Sequence, residues 1–163
     1  MAIDTSSMES YQWLLRALGS YLDEEPSCRI TLAETTDGFL VRLQRALHKL
    51  DPQIVHFKRQ TLKQQLEELA QHRRFVGHAR HQGIWSSFPN GHQDFFRALG
   101  YELDEAKARA ILIDELEDGI VLTYSHPDPN TPDGWDKRMV MLGLKEIEEI
   151  LNAAFERRKK PQA

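Results

Sequence analysis

The sequence predicts an α+β protein formed by internal duplication, in which two α-β-β-β-α units with antiparallel sheets are related by a pseudo-twofold axis. The first observation is a repeat, because Arg16-Ala17-Leu18-Gly19 returns as Arg97-Ala98-Leu99-Gly100, and residues 11–43 match 92–124 at 12 of 33 positions without a gap. The second is the hydrophobic period, which in each half changes from helical to alternating and back to helical. A unit of about 80 residues has a marginal core, so the two units are expected to share one.

The identical residues stand 81 positions apart and fall in the predicted helix, the first strand and the turn that follows it. They are Gln12/Gln93, Arg16/Arg97, Ala17/Ala98, Leu18/Leu99, Gly19/Gly100, Leu22/Leu103, Asp23/Asp104, Glu24/Glu105, Ile30/Ile111, Glu34/Glu115, Asp37/Asp118 and Gly38/Gly119.

The first unit opens with a helix predicted over 7–24, because Ser6 and Glu9 form a capping box ahead of a leucine-rich face. Gly19 lies inside this helix, where glycine costs about 1 kcal/mol relative to alanine. Its repetition as Gly100 indicates close backbone packing or a break in the helix at that point.

Three strands follow in the first unit, over 28–33, 39–44 and 54–58, where apolar and other residues alternate. Asp37-Gly38 predicts the hairpin turn between the first two strands, since glycine accepts a positive φ. An alternative stays open at the end of the second strand, because Leu43, Ala46, Leu47 and Leu50 also fit a helical face. A second helix is predicted from Thr61 to Arg74.

The second unit repeats this order, with a helix capped by Asn90, strands at 109–116, 119–125 and 137–142, and a last helix from Leu144 to Phe155. The predicted organisation is therefore a first repeat over 1–75, a linker over 76–90 and a second repeat over 91–163. The segment from His126 to Lys137 is predicted as a surface loop that the first unit lacks.

Composition indicates a folded protein outside the membrane. No run approaches the roughly 18 apolar residues of a spanning helix, and the first residues lack a signal pattern, so a cytoplasmic location is expected. Cys28 is the only cysteine, which excludes an internal disulfide.

The two halves of the chain differ in net charge. Residues 1–81 carry 11 basic and 10 acidic side chains, a net charge of +1, and residues 82–163 carry 10 basic and 15 acidic side chains, a net charge of −5.

No catalytic motif, cofactor loop or metal site is predicted. The linker histidines His72, His78 and His81 match no zinc spacing, and the loop from Asp128 fails the calcium pattern because its twelfth position is Met139. The repeated acids are interpreted as non-catalytic, with Asp23 and Asp104 at the solvated end of the helix and Glu34 and Glu115 on the strand before the hairpin. Arg16 and Arg97 are expected to form salt bridges with these acids.

The sheet face away from the helices is expected to differ between the units. In the first it is basic and polar, with Arg29, Thr31, Leu40, Arg42, Gln44, His56 and Lys58; in the second it is apolar, with Ala110, Leu112, Val121, Thr123 and Val140. An apolar face is typically covered by other protein, either the other repeat or a second chain. The sequence therefore predicts a non-catalytic interaction protein that binds a protein partner or associates with itself.

The alternative function is nucleic-acid binding. The order helix, three strands, helix resembles the topological order of the double-stranded-RNA-binding domain, which implies contacts to phosphates and to the shape of the duplex. The chain lacks the lysine cluster that this family carries at its second helix. The residues expected to contact phosphates are Arg29, Arg42, His56 and Lys58 on the first unit's sheet face, with Arg73, Arg74 and Arg80 from the linker.

Overall fold

The computed structural model describes residues 10–23, 29–44, 53–71, 91–116 and 118–159. In chain order its elements are α1 (Tyr11–Asp23), β1 (Arg29–Glu34), β2 (Gly38–Gln44), β3 (Gln53–Lys58), α2 (Leu62–Gln71), α3 (Gly91–Glu105), β4 (Arg109–Glu115), β5 (Gly119–Pro127), β6 (Trp135–Gly143) and α4 (Leu144–Lys159). A short 3-10 turn, Arg59–Thr61, leads into α2. The predicted α+β class is confirmed.

The six strands of the described residues form one antiparallel sheet in the order β3-β2-β1-β4-β5-β6. The halves of the chain meet in its centre, where β1 pairs with β4 and Leu32 stands opposite Ile113, 81 positions further on. The strands of the two halves therefore join in one sheet.

The core is one apolar cluster with residues from both halves, as expected for units that share a core. In β2, Phe39, Val41 and Leu43 are buried while Leu40 and Arg42 are exposed, which is the alternation of a sheet covered on one face. Each of the four helices that the structure describes contributes to this cluster or packs against it. They lie on one side, called the helix side, and the opposite side of the sheet is called the open face.

Helices α1 and α3 contact each other closely at their repeated glycines. A Cβ on Gly19 would stand 2.7 Å from the carbonyl oxygen of His92, and one on Gly100 would stand 2.5 Å from that of Tyr11. Both helices continue unbroken through the glycine. The prediction of close backbone packing is confirmed, because only a residue without a side chain allows this approach.

The aspartates at the ends of these helices bind the start of the opposite helix. Asp104 accepts hydrogen bonds from the backbone N–H groups of Tyr11 and Gln12 at 2.9 and 3.0 Å. Asp23 accepts them from the second and third residues of α3 at 2.8 and 3.0 Å. The interpretation of these acids as solvated is wrong, since each satisfies donors that a helix N-terminus otherwise leaves without a partner.

Gly38 and Gly119 begin β2 and β5, and their role differs from the prediction. Neither has a positive φ, so the turn does not require glycine for that reason. A Cβ on Gly38 would collide with the carbonyl oxygen of Phe57, and one on Gly119 would lie 2.5 Å from that of Leu142. Both glycines thus allow the third strand of their half to approach closely.

The hairpin between β5 and β6 is longer than predicted. β5 reaches Pro127 and β6 starts at Trp135, so the connecting loop is only 128–134. In α4, Ile147 is buried, whereas Leu144 and Phe155, both predicted on its apolar line, are 42% and 52% exposed.

Some predictions fall outside the described residues. They are the capping box at Ser6 and Glu9, the helical alternative over 45–50, the Asn90 cap and the linker 76–90. No helix within the described ranges is both long and apolar enough to cross a membrane.

Candidate functional site

The open face is the surface on which the predicted site residues meet. It is formed by alternate residues of six strands, and its principal side chains are Arg29, Thr31, Leu40, Arg42, Ile54, His56, Lys58, Leu112, Asp114, Val121, Thr123, Met139 and Met141. Arg29, Arg42, His56 and Lys58 were all expected on this side, and the structure places them there on three adjacent strands. The other predicted residues, Arg73, Arg74 and Arg80, lie outside the described residues.

A depression of about 420 Å³ opens near the centre of this face and is lined by Arg29, Thr31, Arg42, Gln44 and Asp114. The Arg29 Nε–H donates to the carbonyl oxygen of Glu115 at 3.0 Å, which orients its guanidinium. The Thr31 hydroxyl donates to Asp114 at 3.0 Å. Neither arginine forms an ion pair with a carboxylate of the described residues. Two guanidinium groups beside one carboxylate suit an acidic group of a ligand.

His56 is held at the edge of this surface by the turn between β1 and β2. Its Nε2 lies 3.1 Å from a carboxylate oxygen of Asp37. The Thr35 hydroxyl donates to the same carboxylate at 3.0 Å. The hydrogen bond from Thr35, together with the charge of His56, lowers the pKa of Asp37 below its usual value. This carboxylate therefore stands beside one of the residues proposed to bind phosphates.

The outer strands of the open face expose large apolar side chains. Ile54 on β3 is 60% exposed, and Met139 and Met141 on β6 are 75% and 70% exposed. The prediction of Val140 on this face is wrong, because Val140 packs against the core. In the observed register Val121 stands opposite Met141, so the methionines occupy the open-face positions.

Glu34 is the last residue of β1, before the hairpin as predicted, and lies on the helix side. Its Oε1 accepts hydrogen bonds from the Tyr11 hydroxyl at 2.7 Å and from the N–H of Ile111 at 3.1 Å. Its Oε2 pairs with Arg59. Burial, together with the hydrogen bond to Glu34, raises the pKa of Tyr11 well above its usual value. Three donors therefore bind the Glu34 carboxylate, and its role is to stabilise the fold.

Glu115 and His92 are the positions that match Glu34 and Tyr11 in the second half, and both are buried. His92 lies with Nδ1 3.3 Å from Asp23. The burial of His92 was not predicted. The sequence signal that could have indicated it is the alignment of His92 with Tyr11, 81 positions earlier, at the start of a helix.

Arg16 and Arg97 do not form the expected salt bridges. Within the described residues neither pairs with an acid. Partial burial lowers the pKa of Arg97, and the positive charges of Arg158 and Arg16 lower it further. The two repeated arginines thus lie near each other and near the end of α4, away from the open face.

The described residues contain no group of three or more histidine, cysteine or acidic side chains that could hold a metal ion. No protein-family model matches the chain, and comparisons with curated proteins and with solved structures found no match.

Proposed function

We propose that the protein is a non-catalytic interaction protein that binds a protein partner through the open face of its sheet. The observation that carries the proposal is the exposure of Ile54, Met139 and Met141, at 60%, 75% and 70%, on a sheet face that no described helix covers. Met141 and Met139 adjoin Val121 and Thr123 on β5, whereas Ile54 lies at the opposite edge. Large exposed apolar patches are uncommon on monomers and mark sites of protein interaction. Methionine suits such a surface because its side chain adapts to the shape of a partner.

The centre of the same face supports the proposal with polar groups. Arg29 and Arg42 present guanidinium groups that form no ion pair in the described part of the chain, and Asp114 adds a carboxylate. Protein interfaces combine apolar side chains with arginines that bind the partner's carboxylates. The acids Glu34 and Asp23, which would be candidates for an enzyme, instead accept hydrogen bonds from other elements of the fold.

Duplication followed by divergence of this face is part of the proposal. In the central β1–β4 register Leu32 pairs with Ile113, 81 positions later. The contact of Gly19 with His92 is repeated by Gly100 with Tyr11, each residue being replaced by its match 81 positions away, as a pseudo-twofold relation requires. None of the 12 identities lies on the open face; the matched pairs there are Arg29/Ala110, Thr31/Leu112, Ala33/Asp114, Leu40/Val121 and Arg42/Thr123. Two initially similar surfaces have become one composite surface.

Site-specific photocrosslinking in cells tests the proposal. A photoreactive amino acid replaces Met141 on the open face in one variant and Glu148, an exposed residue of α4, in a matched control. The proposal predicts a discrete protein adduct from position 141 that position 148 does not give. That adduct should weaken when Met139→Glu is added. If probes at 112, 139 and 141 all give no adduct, the open face is not a protein-binding surface.

Nucleic-acid binding is the second candidate, and it is supported by the placement of Arg29, Arg42 and Lys58 on one face. The carboxylates of Asp37 and Asp114 on or beside that face weigh against it. Titration with labelled DNA and RNA at 50 and 200 mM salt distinguishes the two functions, since phosphate contacts weaken steeply with salt. Absence of binding at the lower salt concentration removes this candidate.

A further inference from the structure

The open face has the size of an interface between folded proteins. Adjacent strands lie about 4.8 Å apart and each residue advances about 3.3 Å, so six strands of this length present roughly 500–700 Å² of flat surface. Two such faces packed together bury more than about 1,000 Å² in total, which is the range of specific protein complexes. A second sheet of the same dimensions is therefore large enough to cover the six strands of the open face.

We infer that the partner on this face is a second copy of this chain, packed sheet against sheet with β1 over β4 of the other copy. The inference rests on the proposed function and names its partner. It derives from the order of residues across the sheet. The observed register places Ile54, Arg42, Thr31, Asp114, Val121 and Met141 in one row, from β3 to β6.

This row is complementary to its own reverse. A twofold axis parallel to the strands puts β3 of one copy over β6 of the other, so Ile54 lies over Met141 and Thr31 lies over Asp114. Arg42 then lies over Val121 of the other copy and one strand away from its Asp114, about 4.8 Å to the side, which its long side chain can span. Each contact forms twice, because the interface is isologous.

The neighbouring row agrees with this arrangement. It contains His56, Leu40, Ala33, Leu112, Thr123 and Met139. Reversal places Ala33 over Leu112, a small side chain against a large one. It also places His56 over Met139, where the imidazole ring can contact the sulfur. An axis perpendicular to the strands would instead lay Arg42 over Leu40 and Asp114 over Leu112. That arrangement leaves Arg42 two strands away from the opposing Asp114, so both charges are buried without an opposing partner, which is disfavoured.

Sedimentation equilibrium of the full chain between 1 and 200 µM tests the inference. The chain has a mass of 18.9 kDa, and a species of twice that mass is expected at the higher concentrations. Met141→Glu should raise the dissociation constant at least tenfold, whereas the control Glu148→Lys on α4 should leave it within twofold. Unfolding curves of each variant establish that the fold is retained.

Charge reversal in separate chains gives a readout that a change in folding cannot imitate. Arg42→Asp alone and Asp114→Arg alone should each weaken the dimer, because like charges then face each other twice. Mixing these two variants should restore association as a heterodimer, since both contacts then join opposite charges. Rescue on mixing supports the placement of Arg42 near Asp114 of the second copy.

A single species of 18.9 kDa at 200 µM overturns the inference, as does a dimer that neither Met141→Glu nor Arg42→Asp weakens. The outcome for the proposed function is separate. A monomer that still gives an adduct with a different protein at position 141 in cells leaves the proposed function standing, whereas a monomer without adducts removes both.

Discussion

The helix side and the open face of the sheet carry different parts of the repeated sequence. On the helix side, positions 81 apart are often identical, and the structure shows that several contact the other half: Gly19 and Gly100 lie against the opposite helix, and Asp23 and Asp104 bind its first turn. On the open face the matched positions all differ. Identity is therefore concentrated where the chain contacts itself, and under the proposed function the binding residues are among those that differ.

The largest expected effect is at the repeated glycines. Gly19→Ala and Gly100→Ala each place a Cβ within 2.7 Å of backbone atoms of the facing helix. Although alanine favours an isolated helix by about 1 kcal/mol, overpacking here should lower the free energy of unfolding by about 2–3 kcal/mol. Urea unfolding measures this. Asn152→Ala, at an exposed position of α4, is the control and should cause no loss; glycine variants as stable as wild type would contradict the close packing.

The aspartates that bind the opposite helix should have the next effect. Asp104→Asn keeps the shape of the side chain but removes the charge that accepts two backbone hydrogen bonds. The expected loss is about 1–2 kcal/mol, as for other N-terminal caps. Asp23→Asn should cost a similar amount, and Glu148→Gln, exposed on α4, should cost none. Chemical denaturation measures the free energy of unfolding of the three variants. Equal losses for the two aspartate variants and the Glu148→Gln control would refute this role.

Tyr11 should make stability depend on alkaline pH. Burial and Glu34 raise the pKa of Tyr11 above its usual value, so the folded state keeps a proton that the unfolded state releases near pH 10. This contribution is fully present below pH 10 and decreases as the pH rises further, by at most about 1.4 kcal/mol per pH unit. Tyr11→Phe should be about 1 kcal/mol less stable at pH 8. It should also lose less stability than wild type between pH 10 and 11, and equal alkaline slopes would be the contrary result.

The smallest effect on stability is expected on the open face. Met141→Ala removes an exposed side chain and should change the free energy of unfolding by less than about 0.5 kcal/mol at concentrations where the chain is monomeric. Its neighbour Leu142 faces the core with 7% exposure, and Leu142→Ala should cost about 2–3 kcal/mol. Thermal unfolding of the two variants tests whether Met141 and Leu142 lie on opposite faces of β6. Similar losses of stability in both variants would show that they do not.

The predictions that the sequence supported best concern local geometry. Gly19 was expected to allow close packing because glycine is costly inside a helix, and the strands of the first half follow from their alternating residues. The open-face positions of Arg29, Arg42, His56 and Lys58 follow from the same alternation.

Contacts between distant residues could not be predicted. Asp104 and Tyr11 are 93 positions apart, and no local pattern indicates that the end of one helix binds the start of the other. The prediction that Val140 lies on the open face failed for a different reason. A shift of one residue turns every side chain of a strand to the other face, and the longer β5–β6 hairpin removed the match to β3 that would have fixed the phase.

The most direct test of the central claim is oxidative footprinting of the open face. Met139 and Met141 are exposed on that face, whereas Phe155 is exposed on α4 and serves as an internal reference. Hydroxyl radicals are applied to the purified chain at 1 µM and to the same chain inside cells, and modification is measured by mass spectrometry. The account predicts that both methionines are protected in cells relative to Phe155. Equal relative modification in the two settings would contradict an open face that functions as a binding surface.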